Sequence, residues 1–382
     1  MAAPLVKAPG LLLHTARTLG KDVVFLTLLG VLAALTVLAP GKVLSYPTLV
    51  DWPTIAALTG LLLLTKGVES SGALHRMGRW AIARVATQRS AALCLVLAAA
   101  LLSMLLTNDV ALFVVVPLTL AVCRFARLPA TRVIVFEALA VNAGSALTPI
   151  GNPQNLFLWQ LSGASFGQFA LHMLPLVAVL MALLLALTVV SFPARPMHVG
   201  PEENEPPLDR TLLGVSLVLY VPFLVLADLH RAPWALAALT LIFLMVRPRI
   251  LLQIDWGLLL VFILMFVDLR LLAGQSLVHG WMSRLDLAQP RHLFWAGVGA
   301  SQVISNVPAA IALAEYSRDW RVIAYAVNIG GFGFMVGSLA NLIALRMARE
   351  RKAWLSFHAY SLPFLLLAGA VGYALLFLLH LG

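Results

Sequence analysis

The sequence predicts an all-α polytopic membrane protein, built as an inverted repeat with two re-entrant helical hairpins and two broken transmembrane helices. Three observations carry that prediction. The 382 residues are 61% hydrophobic and 11% charged, against roughly 25% charged in a soluble globular chain, and the mean hydropathy is +0.95. Two long apolar segments are interrupted by polar residues where a plain span would have none. The interruptions recur in the same order in the two halves of the chain.

Composition also excludes several classes. The net charge of +10 comes from Lys and Arg spread over short loops, which read as topology signals rather than a nucleic-acid surface. Cys94 and Cys123 lie in apolar stretches and read as free core cysteines, not a disulfide framework. No H-E-x-x-H, P-loop or Cys cluster occurs, so neither a cofactor nor ATP-driven pumping is expected. The N-terminus lacks a compact apolar run followed by a small-residue cleavage site, so no signal peptide is expected.

In chain order, spans are predicted at 22–40, 52–68, 132–160, 167–192, 211–228, 232–247, 256–272, 322–345 and 356–380, each apolar and near the roughly 20 residues that cross a bilayer core. The hydrophilic stretch 193–210, PARPMHVGPEENEPPLDR, separates two halves. The first repeat is placed at 1–192, a linker loop and connecting helix at 193–231, and the second repeat at 232–382.

Residues 90–123 contain LLSMLLTNDVALFVVVP, with Thr107-Asn108-Asp109 inside an apolar run. As one helix these 34 residues would run about 51 Å, too long for a core near 30 Å, and they are too short for two full crossings. A re-entrant hairpin with its tip at the triplet resolves the length. Lys66, Arg76, Arg79, Arg84 and Arg89 precede it and Arg124, Arg127 and Arg132 follow it, so both flanks read as cytoplasmic. Residues 292–317 form the second predicted hairpin, broken at Ser305-Asn306 before Pro308 and flanked by Arg291 and Arg318. With Lys7, Arg17 and Lys21 inside, the spans alternate. The uncharged stretch 162–167 falls outside, while Arg346, Arg349, Arg351 and Lys352 fall inside. A plasma-membrane location is expected, with the N-terminus cytoplasmic and the C-terminus extracytoplasmic.

The repeat is positional. Ser103-x-x-x-Thr107-Asn108 matches Ser301-x-x-x-Ser305-Asn306. Asn142, Gly144, Gly151 and Asn155 match Asn328, Gly330, Gly337 and Asn341 at the same offsets. Asp51-Trp52 and Asp255-Trp256 open the two halves. An odd number of spans separates the hairpins, so the halves are inverted, an architecture of many secondary transporters whose sites lie where broken helices meet.

The chemistry resides at these breaks. Asn142-Ala-Gly-Ser-Ala-Leu-Thr148-Pro149-Ile-Gly151-Asn152-Pro153-Gln154-Asn155 places two prolines in one span, and each removes a backbone donor, so unwinding is expected near 149–153. The freed backbone groups must face protein or a cavity. The second break, Asn328 to Asn341 with Ser338, rests on glycine alone. Four helix N-termini, after Asn108, Asn306 and the two breaks, could converge with partial positive charge and suit an anion. Asp109 has three readings: a helix cap, a ligand for a coupling cation such as Na⁺, or a proton carrier. Glu137 is a second intramembrane carboxylate, facing either the same cavity or a loop arginine. Asp268 and Arg270 are expected to reach the interface at a span end. Gly163-Ala-Ser165-Phe-Gly167 fits the nucleophile-elbow pattern, but in a short loop between helices, without its strand-turn-helix context.

Thr107-Asn108-Asp109-Val-Ala, Thr148-Pro-Ile-Gly-Asn-Pro-Gln-Asn155, Ile304-Ser-Asn-Val-Pro308 and Asn328-Ile-Gly-Gly with Gly337-Ser-Leu-Ala-Asn341 resemble the citrate-transporter-like and arsenite-permease group of the ion transporter superfamily, related to divalent anion:sodium symporters. The resemblance spans nearly the whole chain. It implies a homodimer and secondary transport by an elevator-like movement. It carries ion and substrate binding to Ser103, Thr107 and Asn108 at the first tip and to Ser305 and Asn306 at the second. Dicarboxylate-transporting members typically carry Ser-Asn-Thr at these tips. Here they read Thr-Asn-Asp and Ser-Asn-Val, closer to the arsenite-permease side, where proton coupling is expected.

The functional expectation is a coupled permease for a small inorganic or organic anion or weak oxyacid, driven by H⁺ or Na⁺, with no resident cofactor. The alternatives are a cation/proton antiporter and, remotely, a membrane-embedded hydrolase at Ser165. The candidate binding residues are Ser103, Thr107, Asn108, Asp109, Asn142, Gly144, Thr148, Gly151, Asn152, Asn155, Ser301, Ser305, Asn306, Asn328, Gly330, Gly337, Ser338 and Asn341. A candidate Na⁺ site comprises Asn108, Asp109 and Asn306. The partners expected are the small solute and the lipid bilayer.

Overall fold

A computed structural model describes residues 23–82, 84–126, 128–197, 207–348 and 350–379. The basic residues Lys7, Arg17, Lys21, Arg127 and Arg349 and linker residues 198–206 lie outside the described residues. Among the described residues every extended regular element is helical, and the backbone pairs as β structure only at an isolated bridge between Thr87 and Pro196.

The helices of the first half are α1 (Val23–Leu38), α2 (Tyr46–Leu49), α3 (Trp52–Ser70), α4 (Ala73–Ile82), α5 (Gln88–Leu105), α6 (Asn108–Ala126), α7 (Ala130–Ser145), α8 (Pro153–Ser162) and α9 (Phe166–Ser191). After the linker come α10 (Arg210–Asp228), α11 (Ala232–Val246), α12 (Arg249–Gln253), α13 (Trp256–Ala273), α14 (Ser276–Ser283), α15 (Pro290–Ile304), α16 (Asn306–Ala314), α17 (Trp320–Ile329), α18 (Leu339–Ala348) and α19 (Ala353–Phe377).

By length and composition five described helices can cross a membrane, or six if Pro40–Leu49 and α3, bent by 53°, form one span. The other stretches expected to cross coincide with shorter apolar helices, such as Ala232–Val246, or with divided ones. The span expected at 132–160 is divided into α7 and α8, and that at 322–345 into α17 and α18. The segment 90–123, expected as a hairpin, holds two helices, α5 and α6, that pack on each other across a break at 106–107, and α5 is itself among the five. The segment expected as the second hairpin, 292–317, holds helices of unequal length, α15 with 15 residues and α16 with 9, meeting at Ser305.

Local chemistry fixes the helix starts. Asp51 Oδ1 accepts from the Thr54 N–H at 3.0 Å, and Asp255 Oδ1 from that of Leu258 at 2.9 Å. Each cap satisfies one orphan amide of the first turn. The adjoining Trp52 and Trp256 indoles donate back to the carbonyls of Pro47 and Leu251. The two Asp-Trp pairs thus do the same work in the same geometry.

The interior is organised around α7, in which every residue from Val133 to Ser145 is buried. Helices α5, α6, α9, α18 and α19 pack around it. Most of its buried positions are apolar, as suits a helix packed on all sides. Around α3 a second group forms from α8, α10 and α11. In lipid this packing is held by dispersion and close fit, because exposed residues such as Leu101, Val218 and Leu241 meet a solvent as apolar as themselves.

Asp268 corrects one expectation. It is 1% exposed, and neither carboxylate oxygen has a hydrogen-bond partner. Arg270 does reach outward, to Glu315 at 3.0 Å and to the carbonyl of Leu49 at 2.7 Å. The two side chains lie two positions apart on α13, hence on different faces of the helix.

Candidate binding site

The breaks determine the site. At the first, α7 ends at Ser145 and α8 starts at Pro153. The Asn155 amide donates to the carbonyls of Ser145, Ala146 and Thr148 at 3.4, 3.1 and 3.2 Å. One side chain therefore meets carbonyls that unwinding sets free, as burial in a membrane requires. Asn152 Oδ1 caps α8 by accepting the Asn155 N–H at 2.9 Å. The hairpin tip is stitched to this segment, with the Asn108 N–H donating to the Gly151 carbonyl at 3.0 Å and Thr148 Oγ1 to that of Met104 at 2.6 Å.

The second break has no proline, and it borrows its partners from neighbouring helices. Gln302 on α15 donates to the carbonyls of Gly330 and Phe332 at 2.7 and 3.1 Å and accepts the Phe334 N–H at 2.9 Å. Ser361 on α19 donates to the Gly333 carbonyl, and His358 Nε2 accepts the Met335 N–H. The Ser305 tip has φ +72° and ψ 157°, a region that is essentially glycine-only.

The two breaks exchange hydrogen bonds. The Asn142 amide donates to Asn341 Oδ1 at 2.7 Å, and the Asn328 amide to Asn155 Oδ1 at 2.6 Å. Asn142 and Asn328 are matched positions, as are Asn155 and Asn341, so the exchange is reciprocal. Asn152 joins it by donating to Asn328 Oδ1 at 2.9 Å and to Ser145 Oγ at 3.1 Å. The matched glycines allow the approach of the hairpins. A Cβ at Gly144 would lie 2.4 Å from the Ala100 carbonyl oxygen, and one at Gly330 would lie 2.4 Å from Ser301 Cβ. Gly151 is held similarly against the Ser145 and Ser103 backbones, and Gly337 against the Gly330 carbonyl.

Between these elements lies a narrow cleft lined by Asn108, Asp109, Pro153, Gln154, Leu258, Phe262, Asn306, Val307, Ser338 and Leu339. It has room for about one water. Four helices present their N-termini to it: α6, α8, α16 and α18. Asp109 Oδ1, Gln154 Oε1 and Ser338 Oγ are buried there without a hydrogen-bond partner. Unpaired buried polar atoms are costly. No backbone N–H caps onto Asp109 Oδ1, and Asn108 Oδ1 instead takes the Asp109 N–H at 3.0 Å.

The sequence-derived residues thus divide. Asn108, Asp109, Asn306 and Ser338 line the cleft. Thr107 and Ser305 stand at the tips beside it. Asn142, Asn152, Asn155, Asn328 and Asn341 form the lattice behind it, with Thr148 and the glycines closing its packing. The Ser103 and Ser301 hydroxyls donate to their own helix carbonyls, Ala100 and Gly297. Ser165 is a helix cap, accepting from the Gln168 N–H at 3.2 Å. Gln154, Leu258 and Phe262 were not anticipated. Gln154 follows Pro153 directly, so the break itself was the available signal.

A larger cavity, about 840 Å³, lies elsewhere, between α13, α14, α15 and α16. It is apolar apart from residues such as Arg284 and His292, and no unpartnered buried polar atom among the described residues lines it. Chemistry therefore favours the smaller cleft.

A sequence profile of the citrate transporter family matches residues 11–319. The chain belongs to this family. It is a membrane transporter, not an enzyme. It is 46% identical over 363 residues to inner membrane protein YbiR of Escherichia coli, covering 95% of this chain and 98% of that protein. It is 31% identical over 304 residues to the uncharacterized transporter MJ0456 of Methanocaldococcus jannaschii, covering 78% and 82%. Over 126 residues, 33% of this chain and 26% of the relative, it is 32% identical to the silicon efflux transporter LSI3 of Oryza sativa subsp. japonica.

Proposed function

We propose that this transporter moves a small inorganic or organic anion, or a weak oxyacid, through the cleft at the four helix N-termini, coupled to H⁺ or Na⁺. The observation that carries the proposal is the meeting of four N-termini with three unpartnered oxygens: Asp109 Oδ1, Gln154 Oε1 and Ser338 Oγ. Each terminus contributes roughly half a positive charge. The amides suit the anion, and the oxygens suit a proton or a hard cation beside it. Asn108, Asp109 and Asn306 are the proposed Na⁺ ligands. The relatives' names, citrate for the family and silicon for the rice protein, set the range of solutes to try.

The architecture we propose is an inverted repeat, 1–192 and 232–382, joined by 193–231. The matched Asp-Trp caps and the reciprocal Asn142–Asn341 and Asn328–Asn155 bonds support it. Basic residues on both flanks of the first hairpin, and its tip bonded to Gly151, support a re-entrant reading. On this reading the hairpins and broken helices move as one body against α3, α10, α11 and α13, the N-terminus is cytoplasmic, and two copies associate. The second reading, a cation/proton antiporter, rests on Asp109, the one carboxylate that lines the cleft.

The test is flux in proteoliposomes under an imposed proton gradient, with and without Na⁺, for arsenite, silicate, phosphate, sulfate, citrate and succinate, against protein-free liposomes. Gradient-dependent accumulation of one solute class supports the anion reading. Proton–cation exchange with no solute flux supports the antiporter instead.

A further inference from the structure

Glu137 lies outside the cleft and outside the functional reading above. It is 0% exposed on α7, inside the run of buried residues from Val133 to Ser145. Its Oε1 accepts from the Thr119 hydroxyl on α6, while Oε2 is buried with no partner. An ionised carboxylate in that setting would be uncompensated, and intramembrane ionisable residues of this kind mark ion and proton pathways.

Among the described residues no ion pair joins Glu137 to a cation. On α6, Cys123 lies within electrostatic reach of Glu137. Helix α18 runs antiparallel to α7, with Asn142 meeting Asn341 and Thr131 meeting Glu350. Arg346 stands between those contacts, but it is exposed and no ion pair joins it to Glu137 among the described residues. From α5 come Arg89, whose guanidinium is spent on the Phe192 carbonyl at 3.0 Å, and Cys94. The last ten residues of α9 carry no charge. Helix α19 contributes Tyr360, stacked edge-on against the neighbouring Phe136.

Position gives the group a lever on the site. Thr119 is on the arm whose first turn bears Asn108 and Asp109, and α7 carries Asn142 and ends at the unwound segment. We infer that Glu137 is a proton-binding site of the transporter, separate from the cleft, whose protonation sets the contact between the first hairpin and α7. It takes H⁺ on the open Oε2 while Thr119 holds Oε1. This deepens the proposed coupling by assigning a proton site to a named residue.

The test reads protonation directly. Wild type, Glu137→Gln and Glu137→Asp are compared by pH-difference infrared spectroscopy in lipid without substrate, with gel-filtration profiles checking folding. The expected result is a carboxylic C=O band that grows as pH falls, is missing in Glu137→Gln and persists at a shifted frequency in Glu137→Asp. A titrating spectrum identical in wild type and Glu137→Gln overturns the proposal. If Glu137→Gln does not fold, Thr119→Val serves: losing the hydroxyl should move the band, and an unmoved band overturns the assignment. Because no substrate is present, the result stands whether or not any solute of the panel is transported. In proteoliposomes, proton-gradient-driven flux in folded Glu137→Gln should fall to the protein-free leak, and undiminished flux would equally overturn the proposal.

Discussion

Replacing Asn328 by Ala tests whether the asparagine lattice holds the two breaks together. Asn155 Oδ1 has Asn328 as its partner at 2.6 Å and no other among the described residues, so the substitution leaves a buried acceptor unpaired. Asn152 Nδ2 loses its bond at 2.9 Å but keeps Ser145 Oγ. One orphaned buried acceptor costs about 1–3 kcal/mol and one lost hydrogen bond about 1, giving a loss of about 2–4 kcal/mol. Unfolding by SDS titration in mixed micelles measures it. Asn328→Asp is the sharper variant, because it turns a donor into a carboxylate facing Asn155 Oδ1, and its loss should exceed that of Ala. A loss within about 0.5 kcal/mol, the range of neutral surface changes, would refute the lattice as a structural clamp.

Three further outcomes are expected. Gly144→Ala brings a Cβ to 2.4 Å from the Ala100 carbonyl oxygen, and overpacking against backbone should cost about 1–3 kcal/mol; a melting temperature equal to wild type would contradict that approach. Ser305→Gly removes a strained φ of +72° and should stabilise the tip by about 1 kcal/mol, seen as a raised melting temperature, whereas a lowered one would mean the serine side chain outweighs the strain. Asp209, at the exposed start of α10, is held below its usual range by the Leu212 N–H and by Arg247. Its folded value is depressed, so its stabilisation is present above the unfolded pKa of about 3.9 and is lost as pH falls through the folded value. The stability difference between wild type and Asp209→Asn should therefore be present at neutral pH and vanish in acid; a difference that persists in acid would contradict the pairing.

Much of the fold was legible because breaks in a membrane helix need special residues. Pro149 and Pro153 announced the unwound segment, and Thr107-Asn108 and Ser305-Asn306 announced the breaks between α5 and α6 and between α15 and α16. The rest was hidden for physical reasons. Helices α4 and α14 are short, and their His, Arg and Gly residues read as loop. Gln302 satisfies three backbone groups of the second break, but a lone Gln on a predicted hairpin arm gives no hint of its acceptors. The asparagines read as ligands because an intramembrane amide must have a partner, and sequence alone does not say that the partner is another asparagine. Gln154 was passed over as a flank of proline, yet its Oε1 is one of the three unpartnered oxygens of the cleft.

The central claim is that the cleft at the four N-termini is where coupling and transport meet. The most direct measurement is gradient-driven uptake of the six-solute panel by wild type and Asp109→Asn, reconstituted side by side at matched protein content. The account requires that the mutant, folded and inserted, loses accumulation driven by the proton or Na⁺ gradient. Accumulation in Asp109→Asn with unchanged rate, pH dependence and Na⁺ dependence would place the coupling site elsewhere in the molecule.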